Sequence, residues 1–394
     1  MYKKLFGSLI YLLFILGILS FFSNLIITYY GTPFDKVIGL LKPDIELGWI
    51  QKSRLDTNFI GSSVKTNDKG FRANSLKFDN TYNILILGPS SAFGWGVELE
   101  ETYPHLLEGK LNSLGGNKYK VYNASVIGFS SKQGEILWNK YFKDSTFDAV
   151  ILAYGINDID RHRFFFRSND SDTALFAKRI QRISYLKEEF IYSSSFFRAI
   201  NIFLRWGILN YGCPKIELPL SKRLSRAETL NAFKNIITSA RKNNIKTYIL
   251  NTPYNFETNG RLEKQLVKLD HSKYNAKKFK EAKNYYEDLV KEHQTSDVPY
   301  YYLSQIALQE GNCFDSRNYF RKALSAEKYR LVENIDTINE SLHDLAKEEK
   351  IMYIDANKSI SMTEDYFLDT VHPSIKGHQV LADLIYQKIQ KADQ

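Results

Sequence analysis

The chain has 394 residues, enough for two or three domains or for one α/β domain carrying an insertion. Its 53 Lys and Arg against 44 Asp and Glu leave a formal charge of +9, a balance suited to an anionic cell envelope or an acidic glycan. No zinc-finger spacing, RNA-binding aromatic signature or long basic run accompanies that charge, so nucleic acid is not an expected partner.

Lys3 and Lys4 precede a run from Leu5 to Tyr30 that holds no charged residue. The run exceeds the roughly 20 apolar residues that span a bilayer. Lysines before it, with no matching basic cluster after it, predict a single-pass anchor with a cytoplasmic N-terminus. The remaining chain would then be periplasmic or extracellular. A cleaved signal peptide is the rival reading, but its apolar core is about 7–15 residues and ends in a small-x-small site. Here large residues, Ile18 and Phe21, stand two before Ser20 and Ser23. Only two cysteines occur, Cys213 and Cys313, and neither belongs to a C-x-x-C pair. Whether they form a disulfide is open at this level.

Residues 31–81, with Pro33, Pro43 and little periodicity, read as a juxtamembrane lead-in. Within them Thr66 to Arg72 reads as a surface turn ending in an aromatic-basic pair. The stretch from Asn83 to Val97 is the most informative in the chain. Its apolar run Ile84 to Leu87 stops at Gly88-Pro89-Ser90-Ser91, which predicts a buried parallel-type strand delivering a serine to the carboxyl edge of a sheet. Tyr103 to Leu114 has helical spacing, Tyr119 to Ala124 reads as a strand, Gln133 to Phe142 as a helix and Ala149 to Tyr154 as a third strand. This alternation predicts a right-handed parallel α/β sheet. A basic-aromatic loop, Arg161 to Arg167, follows; it would either line a substrate groove or tuck its phenylalanines under a neighbour.

Leu230 to Asn243 reads as an amphipathic helix and Lys246 to Leu250 as a fourth strand. Residues 258–330 then break the alternation with charged, helix-rich sequence. Tyr301, Tyr302, Leu303, Ser304, Ala307, Gly311, Ser316, Phe320 and Ala323 resemble one tetratricopeptide-like hairpin. A lone hairpin cannot bury its own apolar face, so this segment is expected to dock on the sheet domain and to offer a surface to a protein partner. Leu331 to Lys347 reads as a helix, Ile351 to Asp355 as the fifth strand and Gly377 to Lys391 as the closing helix.

A serine hydroxyl is a weak nucleophile and needs a base, itself oriented by a third group. Asp369-Thr370-Val371-His372-Pro373 follows the last strand, and an Asp and a His three apart can face one cleft. Gly128 and Asn157, at the ends of the second and third strands, stand where donors to an oxyanion would be needed. Each alone has a plainer explanation: a loop histidine, a permissive glycine, and a turn or helix cap at Asn157-Asp158. What carries weight is that all fall at carboxyl ends of successive strands.

In that order, Gly88-Pro89-Ser90, Gly128, Gly155-Ile156-Asn157-Asp158 and Asp369-Thr370-Val371-His372 resemble the four blocks of the SGNH/GDSL hydrolase superfamily. Thr66-Asn67, Gly70-Phe71-Arg72, Gly94-Trp95-Gly96-Val97, His372-Pro373-Ser374 and Gly377-His378 extend the resemblance to membrane-anchored bacterial members. It implies a three-layer αβα sandwich with a five-stranded parallel sheet. It also implies a serine esterase, with Ser90 as nucleophile, His372 as base and Asp369 orienting the imidazole. The oxyanion would be held by the N–H groups of Ser90 and Gly128 and the amide of Asn157. Neither cofactor nor metal is implied. The organisation is then an anchor (residues 1–30), the lead-in (31–81), the hydrolase domain (82–257 and 331–394) and the helical insertion (258–330).

Pro89 stands where the family has Asp, which leaves open how the serine loop is held. Ser91 is the rival nucleophile and His378 the rival base. The expected substrate is an O-acyl, foremost O-acetyl, ester on an envelope or secreted glycan. Acyl transfer and lipase or lysophospholipase activity on a lipid ester use the same residues. A glycan-binding or assembly module without catalysis is the alternative of a different class. A phosphate cradle at the Gly-Pro-Ser-Ser loop lacks the required lysine, since Trp95 follows Gly94.

Overall fold

Ile84 to Leu87 is apolar without alternation because both faces of its strand are covered. The computed structural model describes residues 2–30, 33–72, 81–113, 118–160, 163–166, 168, 170–178, 180–211, 222–254, 279–292, 297–325, 335–360, 364–369 and 371–392. Before the main sheet come two antiparallel hairpins, β1 (Leu41–Asp44) with β2 (Gly48–Gln51) and β3 (Asp56–Phe59) with β4 (Ser62–Lys65). The main sheet contains β5 (Tyr82–Leu87), β6 (Tyr119–Asn123), β7 (Ala149–Leu152), β8 (Lys246–Leu250) and β9 (Met352–Ile354). All four pairings are parallel, in the order β6-β5-β7-β8-β9. The order reverses between β5 and β7, which opens a crevice at their carboxyl ends.

Successive side chains of β5 go to opposite layers. Leu85 and Leu87 join Val150, Leu152 and Ile249 under the helices Ser131–Tyr141, Arg226–Lys242 and Ile335–Glu348. Ile84 and Ile86 join Ile151, Leu250 and Ile354 under Tyr103–Asn112 and Ile375–Ala392. These are the three layers that the family resemblance implies. The five strands fall within a few residues of their expected bounds.

The lead-in departs from expectation. Residues 33–72 are folded onto the sheet domain: Val37, Trp49, Phe59, Val64 and Phe71 belong to the same core as Leu85 and Val150. The turn at Thr66 to Arg72 is no simple surface turn, because Phe71 and Arg72 are both buried. The Arg72 guanidinium donates to the carbonyls of Phe93, Gly94, Ser63 and Val97 at 3.3, 2.6, 2.8 and 2.8 Å. Burial pushes it down to about 10 while Glu98, Glu100 and Glu101 favour its charge, so it stays cationic at neutral pH. Gly94, at φ +88°, lets the loop approach; a Cβ there would lie 2.3 Å from Thr102 and 3.0 Å from the guanidinium.

The Tyr2–Tyr30 helix contains one segment, Ile10–Tyr29, of membrane-spanning length and mean hydropathy 2.4. It packs against the Ser195–Tyr211 helix. The helical insertion contains Phe279–Glu292, Asp297–Gln309 and Cys313–Ser325, the last two forming the expected hairpin. Its first two helices share a small core of Ala282, Tyr286, Leu289, Leu303 and Ile306, Tyr319 of the third packs against it, and Ser304 donates to the Ser316 carbonyl across the hairpin at 2.6 Å. The insertion meets the Ser195–Tyr211 helix, an element outside the sheet layers. Its expected bounds lie outside the described residues. Cys313 is disulfide-bonded, and Cys213 lies outside the described residues.

Replacing Arg72 by Met strands four loop carbonyls. Chemical denaturation should show a loss of more than about 3 kcal/mol, and Arg72→Lys should recover only part of it.

Candidate active site

After Leu87 the chain turns at Gly88 and Pro89, and Ser90 opens a one-turn helix, Ser90–Phe93, beside the crevice. The loop carrying His372 comes from beyond β9 and is closed by a bridge between Phe367 and Pro373. Its turn is built on Asp369. One carboxylate oxygen, Oδ1, accepts the backbone N–H groups of Val371 and His372 at 2.9 and 2.8 Å. The other, Oδ2, lies 2.5 Å from Nδ1 of His372, and Nε2 of His372 lies 2.7 Å from Oγ of Ser90. Burial alone would favour the neutral acid. The charge of His372 and these hydrogen bonds outweigh it and hold the Asp369 carboxyl below the usual range. An ionised Asp369 accepts a hydrogen bond from Nδ1–H, leaving Nε2 to accept from the Ser90 hydroxyl. It is Ser90, not Ser91, that meets the imidazole.

The His372 ring stacks on Trp95, with centroids 4.6 Å apart and planes 10° from parallel, and Phe59 packs edge-on against Trp95 at 4.7 Å. The β3–β4 hairpin therefore reaches the site, where its tip residue Ile60 and the loop residue Leu368 are half exposed. A Cβ on Gly96 would touch both, which places them side by side. Ile60 has φ +51°, a left-handed conformation that strains a β-branched residue.

Gly128 has φ +76°, and a Cβ there would lie 2.4 Å from the ring of Phe164, so only glycine fits. The carbonyls on either side of its N–H are both held. Trp49 donates its indole N–H to the Ile127 carbonyl at 2.8 Å, and Arg223 donates to the Gly128 carbonyl at 2.6 Å. In a trans peptide the N–H points opposite the carbonyl, so fixing the Ile127 carbonyl aims the Gly128 N–H. Arg223 is itself buried against Trp49, 5.2 Å from the ring, and paired with Asp172 at 2.8 Å. Asp172 also takes Arg163 at 2.6 Å and the Ser130 hydroxyl at 2.6 Å. Burial would raise its carboxyl, but the two guanidiniums hold it below the usual range. Asn157 donates its amide to the Phe129 carbonyl at 2.9 Å, tying its loop to that of Gly128. Asp158 caps the Ser131–Tyr141 helix by accepting the Ser131 N–H and hydroxyl at 2.7 and 2.6 Å.

Trp49, Arg223 and Asp172 are the residues that sequence reading missed. Trp49 stands in the lead-in and Arg223 in a stretch without a motif, so nothing local marks either. The basic-aromatic loop takes the second of its two readings: Phe164, Phe165 and Phe166 are buried and Arg163 is consumed by Asp172. Arg161, His162 and Arg167 lie outside the described residues. His378 does not face Ser90; His372 does. His378 is fully buried, and its Nδ1 accepts the Tyr103 N–H at 3.2 Å. Among the described residues no three His, Cys, Asp or Glu side chains are grouped to hold a metal ion.

The family model described as GDSL-like lipase/acylhydrolase matches residues 86–380. Among solved structures, a GDSL-like lipase from Bacteroides thetaiotaomicron is 13% identical, with a TM-score of 0.37 over 79% of this chain and 89% of that one. A catalytic mutant of Axe2, an acetylxylan esterase from Geobacillus stearothermophilus, is 13% identical, with a TM-score of 0.40 over 80% of this chain and 96% of that one. At these scores the likeness says nothing of substrate. Among curated proteins, none matches the chain.

Burial, with the nearby charges of Arg72 and His372, pushes His378 down to about 3. The unfolded chain, with histidine near 6.5, then binds the proton that the folded chain refuses. The stability tied to His378 is complete above pH 6.5 and is lost as pH falls toward 3. His378→Asn keeps an acceptor for the Tyr103 N–H but cannot protonate. Urea titrations from pH 7 to pH 4 should show its stability rising relative to wild type, by up to about 1.4 kcal/mol per pH unit.

Proposed function

This chain belongs to the GDSL-like lipase/acylhydrolase family and is a hydrolase of carboxylic esters; from that premise we propose that Ser90, His372 and Asp369 act as its catalytic triad on O-acyl, foremost O-acetyl, esters of an envelope or secreted glycan. The observation that carries the triad is the unbroken sequence of contacts from Asp369 Oδ2 through His372 to Ser90 Oγ at the sheet crevice. His372 Nε2 takes the Ser90 proton as Oγ attacks the ester carbonyl. Asp369 stabilises the imidazolium that results. The backbone N–H groups of Ser90 and Gly128 and the amide of Asn157 stabilise the oxyanion. The imidazolium protonates the departing alcohol, and water deprotonated by His372 then releases the acid from the acyl-enzyme.

The glycan assignment is supported by the position of the site behind a hydrophobic N-terminal helix and by the aromatic pair Trp95 and Phe59 beside His372. The basic-aromatic loop no longer supports it. The half-exposed, apolar Ile60 and Leu368 favour a second reading, a lipid ester. The apolar Ile10–Tyr29 segment, preceded by Lys3 and Lys4, is read as an uncleaved anchor with the catalytic domain on the outer side of the membrane.

Full-length protein in detergent is to be assayed on p-nitrophenyl acetate, butyrate and octanoate. Hydrolysis fastest on acetate, and lowered about 10³-fold or more in Ser90→Ala, is expected; octanoate preference would move the substrate to lipid, and identical rates in both proteins would contradict the triad. Trp49→Phe removes the indole N–H while keeping an aromatic ring in the core. It should lower kcat about tenfold with KM nearly unchanged, as loosening an oxyanion donor does.

A further inference from the structure

Two helices that no sequence pattern announced, Arg182–Ser193 and Ser195–Tyr211, carry apolar side chains that the fold leaves uncovered. Ile183, Leu186 and Phe190 recur at i, i+3 and i+7 on the first. Phe196, Ile200 and Leu204 recur at i, i+4 and i+8 on the second. Each of the six is between 38% and 80% exposed. The two rows meet at the corner between the helices, where Phe190 and Phe196 both pack on Phe197, at 4.3 and 5.4 Å.

The other side of the second helix is already satisfied by protein. Ala199 and Ile202 are buried there, and Arg198 is half-buried in the field of Asp35, from the Pro33–Leu40 helix. The outward side is thus not part of the core, and apart from Asn201 the side chains described on it are apolar. A contiguous apolar surface of that kind marks an interaction site.

Its neighbour indicates the occupant. The Ser195–Tyr211 helix packs against the Tyr2–Tyr30 helix, whose Ile10–Tyr29 segment is long and apolar enough to cross a bilayer. The exposed rows therefore continue an apolar surface whose neighbouring element is of membrane-spanning length. Arg182 and Lys187 are exposed on the first helix, placed to meet anionic headgroups. We propose that the Arg182–Tyr211 helical pair lies in the membrane interface beside the anchor, with its outward rows among the lipid acyl chains. The catalytic domain is then held against the bilayer at two elements, which restricts it to esters at the membrane surface. The proposal rests on the anchor reading above.

The test uses full-length protein, one copy per nanodisc of phosphatidylcholine and phosphatidylglycerol, with a nitroxide on Phe190→Cys, Leu204→Cys, Tyr11→Cys or Lys376→Cys. Collision rates are measured with oxygen, which concentrates in lipid, and with a water-soluble nickel chelate. The proposal predicts that positions 190 and 204 match Tyr11→Cys, with oxygen accessibility several-fold above that of nickel. The exposed Lys376→Cys should show the reverse. Nickel-accessible labels at 190 and 204 overturn the proposal: with Tyr11→Cys still in lipid the anchor survives, and with Tyr11→Cys in water the anchor reading falls too. Exclusion of both probes at 190 and 204 would put protein on the face and also overturn it. Wild-type protein gives an independent check. A diazirine-bearing phospholipid should crosslink to residues 182–204, and crosslinks confined to the Tyr2–Tyr30 helix would contradict the proposal. Ester hydrolysis assayed on the same samples reports separately on the triad.

Discussion

The carboxylate of Asp369 carries two duties, and the site depends on its ability to do both at once. One oxygen accepts the two backbone N–H groups that shape the turn, and the other faces the imidazole of His372. The turn that positions the histidine and the carboxylate that faces its Nδ1 thus come from one side chain. Asp369 and His372 are three residues apart because the Asp must cap the turn on which the His stands. The sheet does the rest. It delivers Ser90, 282 positions earlier in the chain, to the same edge within 2.7 Å of Nε2.

Buried cations hold the loops around that edge. A guanidinium is costly to remove from water unless its donors are satisfied. Arg72 meets it at both Nη atoms, through backbone carbonyls, though its buried Nε has no partner among the described residues; Arg223 meets it with a carboxylate, an amide oxygen and the carbonyl of Gly128. The two therefore brace loops on either side of Ser90. This answers how the serine loop is held with Pro89 in the family's Asp position. Asn123 donates to the Ala92 carbonyl at 2.8 Å, Val126 N–H donates to Gly88 at 2.9 Å, and Arg72 secures the segment that carries Trp95. None of these needs a side-chain donor or acceptor at position 89.

Much of this was legible in the sequence. The central strands β5 and β7 were readable because burial on both faces leaves unbroken apolar runs, and the turns after them because Gly, Pro and Asn break those runs. Ser90, Gly128 and Asn157 stood out because their strands end abruptly, and Asp369 and His372 because they stand three apart just before the closing helix. The bracing residues did not. Trp49 acts through one hydrogen bond to a carbonyl 78 positions away, and Arg223 through one 95 positions away; no local period encodes such contacts. The lead-in hid its structure for a related reason. Its four strands are four residues each, too short to show alternation, and they gain stability from the core they cover. The same limit applied to the Arg182–Tyr211 helices, whose apolar residues face outward as well as inward and so blur the amphipathic period.

The central claim is that His372 activates Ser90 and no other hydroxyl. Its most direct test is intact-mass and peptide mapping of the full-length protein after reaction with a fluorophosphonate, which traps activated serine nucleophiles. One adduct, on Ser90, formed at a rate that collapses in His372→Ala, is the predicted result. An adduct on Ser91, or labelling of Ser90 that is indifferent to His372, would contradict it.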